Sequence, residues 1–157
     1  MIDDLYTARI LKLAANMPRA GRLEQPDASA EKVSKLCGSR VVVDLTLNDG
    51  RVADFAQDVR ACALGQAAAA VLGENVIGAG VDEIESARDQ LAAMLKAGGS
   101  PPEGRFVDLQ VLQPVKDYPA RHASTLLAFE AAAEAARAAV RRPEAKANGR
   151  TSPAGAA

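Results

Sequence analysis

Cys37 and Cys62 are the residues of this chain best equipped for chemistry, and they are its only cysteines. A thiolate is both a nucleophile and a ligand for soft metals. Leu36-Cys37-Gly38-Ser39 immediately precedes a stretch that reads as a strand, and Ala61-Cys62-Ala63-Leu64-Gly65 immediately follows the next. Two thiols brought to one place can bind a metal ion or an iron–sulfur cluster. The competing reading is a pair of ordinary core thiols, because free cysteine is among the most buried residue types. For Cys62, beside apolar Ala and Leu, the two readings weigh evenly. Cys37, in a polar context before Gly38, fits the core reading less well. The single histidine, His122, completes no nucleophile–histidine–acid set, and no glycine-rich phosphate loop follows a strand.

The elements around the cysteines explain how they can meet. Val41, Val43, Leu45 and Leu47 alternate with Arg40, Val42, Asp44 and Thr46, the period of a half-buried strand. Asn48-Asp49-Gly50 signals a tight hairpin turn, and the chain returns over residues 51–59. An antiparallel hairpin over residues 40–59 therefore carries Cys37 and Cys62 to the same end, away from the turn. Asp44, Asp54 and Asp58 are expected on its wet face. Leu64, Ala68, Val71 and Leu72 place a helix start near Cys62, where the helix N-terminus favours the thiolate.

Residues 2–17 read as a first helix, with Ile2, Leu5, Tyr6, Ile10, Leu13 and Met17 on one stripe and Asp3 and Asp4 at its N-terminus. The polar stretch that follows has room for a short edge strand. A third helix is expected with Asp82 as N-cap and Glu85 completing a capping box. Ile84, Ala87, Leu91, Met94 and Leu95 form its stripe, and Gly98-Gly99 its end. Residues 105–118 fit a short strand or a short helix equally. Pro119 opens a last helix to about Arg142, with Leu126, Phe129, Ala133 and Val140 inward. Residues 1–142 thus read as one domain, and residues 143–157, without periodicity, as a disordered tail. His122 precedes Leu126 by four and Phe129 by seven, which puts it on the apolar stripe of the last helix.

Composition narrows the function classes. Nineteen Lys and Arg against twenty Asp and Glu give a net charge of -1, with no electrostatic footprint for nucleic acid or an acidic membrane surface. The start carries no secretory signal pattern, and the uncharged run 61–73 falls short of the ~20 apolar residues needed to span a bilayer. A cytoplasmic protein is expected, in which two cysteines serve as free thiols or metal ligands rather than a structural disulfide. With aromatics at 3%, the core is built from small and aliphatic side chains.

Asn16-Met17-Pro18-Arg19 after the first helix, Cys37-Gly38-Ser39, Ala61-Cys62-Ala63-Leu64, Tyr118-Pro119-Ala120-Arg121 and Leu127-Ala128-Phe129 follow one another in an order that resembles the U-type iron–sulfur cluster assembly scaffold family. The resemblance covers most of the chain, from the first helix to the last. It implies an α+β fold, a small antiparallel sheet with helices packed on one face. It also implies a non-enzymatic scaffold or carrier that receives sulfur from a cysteine desulfurase. The family uses three cysteines and an aspartate. Here Ser39 stands where the aspartate belongs, and an ungapped count from Pro119 puts Ser124 at the third cysteine. The implied metal site is therefore Cys37 and Cys62, with Ser124 and the nearby imidazole of His122 as weaker donors.

Three functions follow from that frame. The first is a scaffold or carrier for an iron–sulfur cluster, with two subunits pooling their cysteines in a homodimer. The second is a degenerate relative that binds a partner of the assembly machinery, or holds zinc through Cys37, Cys62 and His122, without building a cluster. The third is thiol chemistry proper, with sulfur accepted on Cys37.

Overall fold

The computed structural model describes residues 6–141. Its elements are α1 (Ala8–Ala15), β1 (Ala28–Ser34), β2 (Ser39–Asn48), β3 (Arg51–Arg60), α2 (Ala63–Asn75), α3 (Val81–Ala97) and α4 (His122–Arg141), with 3₁₀ turns over Gly104–Asp117 and Pro119–Arg121 between α3 and α4. The strands form one antiparallel sheet in the order β1-β2-β3. This is the expected α+β architecture, and the polar stretch does hold an edge strand.

The hairpin forms where the alternation and the turn residues require it. Asp49 and Gly50 both take positive φ, 56° and 77°, the conformation whose twist matches a two-residue hairpin. Val41, Val43 and Leu45 are buried on one face, opposite Val59, Gln57 and Phe55 of β3. Between Thr46 and Leu47 the register shifts, because Thr46 pairs with Asp54 while Leu47 pairs with Val52. The strands run one residue further at the open end than the alternation suggested, so Arg40 pairs with Arg60 close to both cysteines.

Helix α2 is buried on nearly every face: Leu64, Ala67, Ala68, Ala69, Ala70, Val71 and Leu72 are all at 0% exposure. Its alanines let it serve as the central helix, packed against α1, α4 and β3. Helix α4 crosses β1 and β2 on the same side of the sheet, and α3 packs against α4. Phe106 and Phe129 meet edge to face, with ring centroids 5.2 Å apart.

Several boundaries differ from the sequence reading. Helix α1 opens at Ala8, where the Thr7 hydroxyl accepts the Ile10 N–H at 3.2 Å. Asp3 and Asp4, expected at its start, lie outside the described residues, as does the tail 143–157. Asp82 does not cap α3. Gly80 does, with its N–H donated to the Glu83 carboxylate at 3.2 Å, and Asp82 and Glu85 instead accept from Arg137 of α4. Residues 105–118 are neither strand nor α-helix but 3₁₀ turns, with Pro114 among them and a kink at Phe106. Pro119 opens a single 3₁₀ turn, and α4 proper begins at His122.

Asp44 is the largest correction. Alternation places it on the face turned away from the helices, yet its side chain is fully buried. The segment before β1 covers that face. Arg22 donates to both carboxylate oxygens at 2.7 and 3.0 Å, Ser29 donates its hydroxyl, and Leu23 its backbone N–H. Asp54 is exposed and Asp58 half-exposed on the same side, as expected. Among the described residues, no helix is long and apolar enough to cross a membrane.

Candidate functional site

The open end of the hairpin brings the cysteines together. Cys37 lies in the loop between β1 and β2, a reversal closed by the Gly38 N–H donating to the Ser34 carbonyl at 2.8 Å. Gly38 takes φ +75°, which a side chain would strain, so the residue after the thiol must be glycine to make this turn comfortably. Cys62 is the N-cap of α2, at the far end of β3.

Ser124 stands beside Cys62, in the first turn of α4. Its hydroxyl lies 3.4 Å from Cys62 Sγ and makes a small contribution to lowering the Cys37 thiol. Gly65 makes the arrangement possible. A Cβ at that position would lie 2.8 Å from the Ala61 Cβ and 2.9 Å from the Ser124 carbonyl oxygen. Only a residue without a side chain lets the start of α2 approach α4 so closely.

The two thiols differ in surroundings. Cys37 is exposed and Cys62 half-buried. Cys37 Sγ lies 3.4 Å from the Ser34 hydroxyl and 3.1 Å from that of Ser39, both on buried residues. The hydroxyls of Ser34 and then Ser39 hold the Cys37 thiol at about 7, with smaller help from the Ser39 backbone and Ser124; partial burial opposes them. A substantial fraction of Cys37 is therefore thiolate at neutral pH. Ser34 was not among the residues singled out from the sequence. It ends an edge strand whose alternation of Ala, Ser, Glu and Lys carries little apolar signal.

His122 is placed differently. It is buried, and its Nε2 donates to the Val115 carbonyl at 3.0 Å, which removes that nitrogen from ligand duty. Among the described residues no three His, Cys, Asp or Glu side chains gather into a group able to hold a metal. The structure sets Ser124 against Cys62, with Cys37 at the same end of the hairpin, and does not gather Cys37, Cys62 and His122 into the expected zinc set. What one chain presents is two thiols and the hydroxyls of Ser34, Ser39 and Ser124, with no third His, Cys, Asp or Glu gathered beside them among the described residues.

Comparison with known proteins places this arrangement. Residues 5–125 match the family described as the NifU-like N-terminal domain. The iron–sulfur cluster assembly scaffold protein IscU of Thermotoga maritima is 29% identical over 131 residues, which cover 83% of this chain and 92% of that protein. The crystal structure of the N-terminal part of a nitrogen-fixing NifU-like protein from Brucella abortus aligns with a TM-score of 0.87 at 55% identity, covering 90% of this chain and 98% of that one. A protein described as a cluster assembly scaffold for the SUF system of Fervidobacterium islandicum shares the fold, with a TM-score of 0.77 at 22% identity over 84% of this chain and 96% of its own.

Proposed function

Because the chain belongs to the NifU-like N-terminal domain family, we propose that Cys37 and Cys62 are a receiving site for iron and sulfur, and that the protein acts as a scaffold or carrier in iron–sulfur cluster assembly. The observation that carries this reading is the antiparallel pairing of Arg40 with Arg60, which brings the two thiols to the same end of the hairpin, where Ser124 lies 3.4 Å from Cys62 Sγ. The cluster is cargo here. The chain binds it and passes it on, and the sulfur is drawn from a separate desulfurase.

The donor count sets the form the cargo takes. A simple iron–sulfur cluster is held by four thiolates. One chain offers two, and a serine hydroxyl is a much poorer ligand for iron. A single chain therefore fits half of such a cluster, and two chains pooling Cys37 and Cys62 fit the whole.

Anaerobic reconstitution with ferrous iron and sulfide tests this. The expected product contains iron and acid-labile sulfide, runs as a dimer on size exclusion, and returns to monomer on chelation. Cys37→Ala abolishes both the metal and the dimer. Ser124→Cys raises retained iron and sulfide, because it supplies a further thiolate at the same spot. Iron and sulfide at background in a protein that still binds a desulfurase would replace this reading with that of a partner-binding relative. No gain from Ser124→Cys would remove Ser124 from the site.

A further inference from the structure

The site contains two thiols where a third donor is a hydroxyl, and that changes what oxidation can do to it. The Ser124 hydroxyl sits 3.4 Å from Cys62 Sγ, and the pairing of Arg40 with Arg60 brings Cys37 to the same end of the hairpin. The chain has no other cysteine to compete for either. Cys37 is on an exposed loop, open to a small molecule, while Cys62 is half-buried behind it at the start of a helix. The Cys37 side of the pair is also the adaptable one. Leu36, Cys37 and Gly38 are all exposed, whereas the helix behind Cys62 is in the core. Closing a disulfide needs Cα atoms within about 7 Å, and a loop residue can supply the adjustment that a buried helix cannot.

We propose that Cys37 and Cys62 form a reversible intramolecular disulfide with a low-molecular-weight disulfide as oxidant, and that this disulfide closes the receiving site. The Cys37 thiolate attacks one sulfur of the small disulfide; a Cys37 mixed disulfide forms and one small thiolate leaves. Cys62, giving up its proton to solvent, then attacks the Cys37 sulfur. The protein disulfide forms and the second small thiolate leaves. Two protein thiols are oxidised, one small disulfide is reduced to two thiols, and the protons balance through water. Oxidation consumes both soft ligands at once, so cargo cannot be held until a dithiol reductant restores them. The proposal rests on the same pair of thiols as the functional reading, but its primary test contains no iron.

Reduced, metal-free protein is equilibrated with mixtures of reduced and oxidised glutathione, quenched by alkylation, and weighed as the intact chain. The expected result is loss of both alkylatable thiols together, no retained glutathione, and a monomer on a non-reducing gel. Cys62→Ser should accumulate one glutathione on Cys37, because the resolving thiol is gone. Cys37→Ser should react more slowly than Cys62→Ser, since its remaining thiol is half-buried. Wild-type protein that accumulates glutathione on separate thiols, or that links into disulfide dimers, would overturn the proposal. A second measurement compares iron uptake by oxidised and reduced protein. Equal uptake also overturns the closure, whereas a clean disulfide in a protein that takes no iron in either state leaves the disulfide standing and removes the cluster reading.

Discussion

Ser39 stands two residues beyond Cys37 with its hydroxyl 3.1 Å from the sulfur, and it contributes to holding that thiol at about 7. An aspartate there would set a negative charge beside the thiolate and disfavour it. In a Cys62→Ser background, Ser39→Asp is expected to move the pH midpoint of Cys37 alkylation upward and to slow the reaction at neutral pH several-fold. An unmoved midpoint would show that this position does not govern the thiol. Part of the candidate site's geometry was legible at this scale. The hairpin register alone predicts that Cys37 and Cys62 share an end, and the structure pairs Arg40 with Arg60 there and sets Ser124 against Cys62. His122 was legible as a buried helix residue on the apolar stripe, and the structure gives it the Val115 carbonyl as partner. Ser34 was not legible, because nothing local marks a serine on a polar edge strand as a thiol's neighbour.

At the scale of elements, the approach of α2 to α4 depends on Gly65. Glycine in a helix is ordinarily replaced by alanine with a gain of at most about 1 kcal/mol, less in the first turn where Gly65 lies. Here the added methyl meets the Ala61 Cβ at 2.8 Å and the Ser124 backbone oxygen at 2.9 Å, neither of which can swing aside. Overpacking of that kind costs about 1–3 kcal/mol. Gly65→Ala should therefore lower the melting temperature despite its better helix propensity, and should weaken the coupling between Ser124 and Cys62. An equal or higher melting temperature would mean the two helices have room to separate. The existence of helices and hairpin followed from periodicity and from Asp49-Gly50. The ends were harder to read. Gly80 caps α3 with its backbone and recruits Glu83, leaving the more familiar cap residue Asp82 to pair with Arg137. The 3₁₀ turns carry neither a period of two nor one of 3.6, so the sequence over 105–118 does not decide between strand and helix, and it forms neither.

Across the whole molecule, the strand that looked wet on one side is partly covered. The parity of Asp44 was read correctly. What parity cannot show is that Arg22, twenty-two residues earlier, returns across that face and forms a bidentate pair with it. Burial alone would raise the Asp44 carboxyl, but the hydrogen bonds from Arg22, Ser29 and Leu23 bring it below its ordinary value of 3.8. For Glu83 burial is likewise outweighed by Arg105 and the Gly80 N–H, and Glu85 is lowered by Arg137; both lie below the ordinary 4.5. Groups lowered in the folded state stabilise it fully above the unfolded values and lose that contribution as pH falls through the folded ones. Glu130, raised by burial, works in the opposite sense but is one against three. The urea midpoint is therefore expected to fall as pH drops below about 4.5. Asp44→Asn should lower the midpoint at neutral pH and flatten that acid slope. An unchanged slope would locate the acid sensitivity elsewhere.

Cys62 stands at the N-terminus of a helix buried on nearly every face, whereas Cys37 rides on a surface loop that continues from an edge strand. The site is thus a vice with one fixed jaw and one sprung jaw. Opening it takes only a local excursion of a few loop residues, far cheaper than any disturbance of α2. For the proposed carrier role, release then proceeds on the timescale of loop motion while the rest of the fold stays intact.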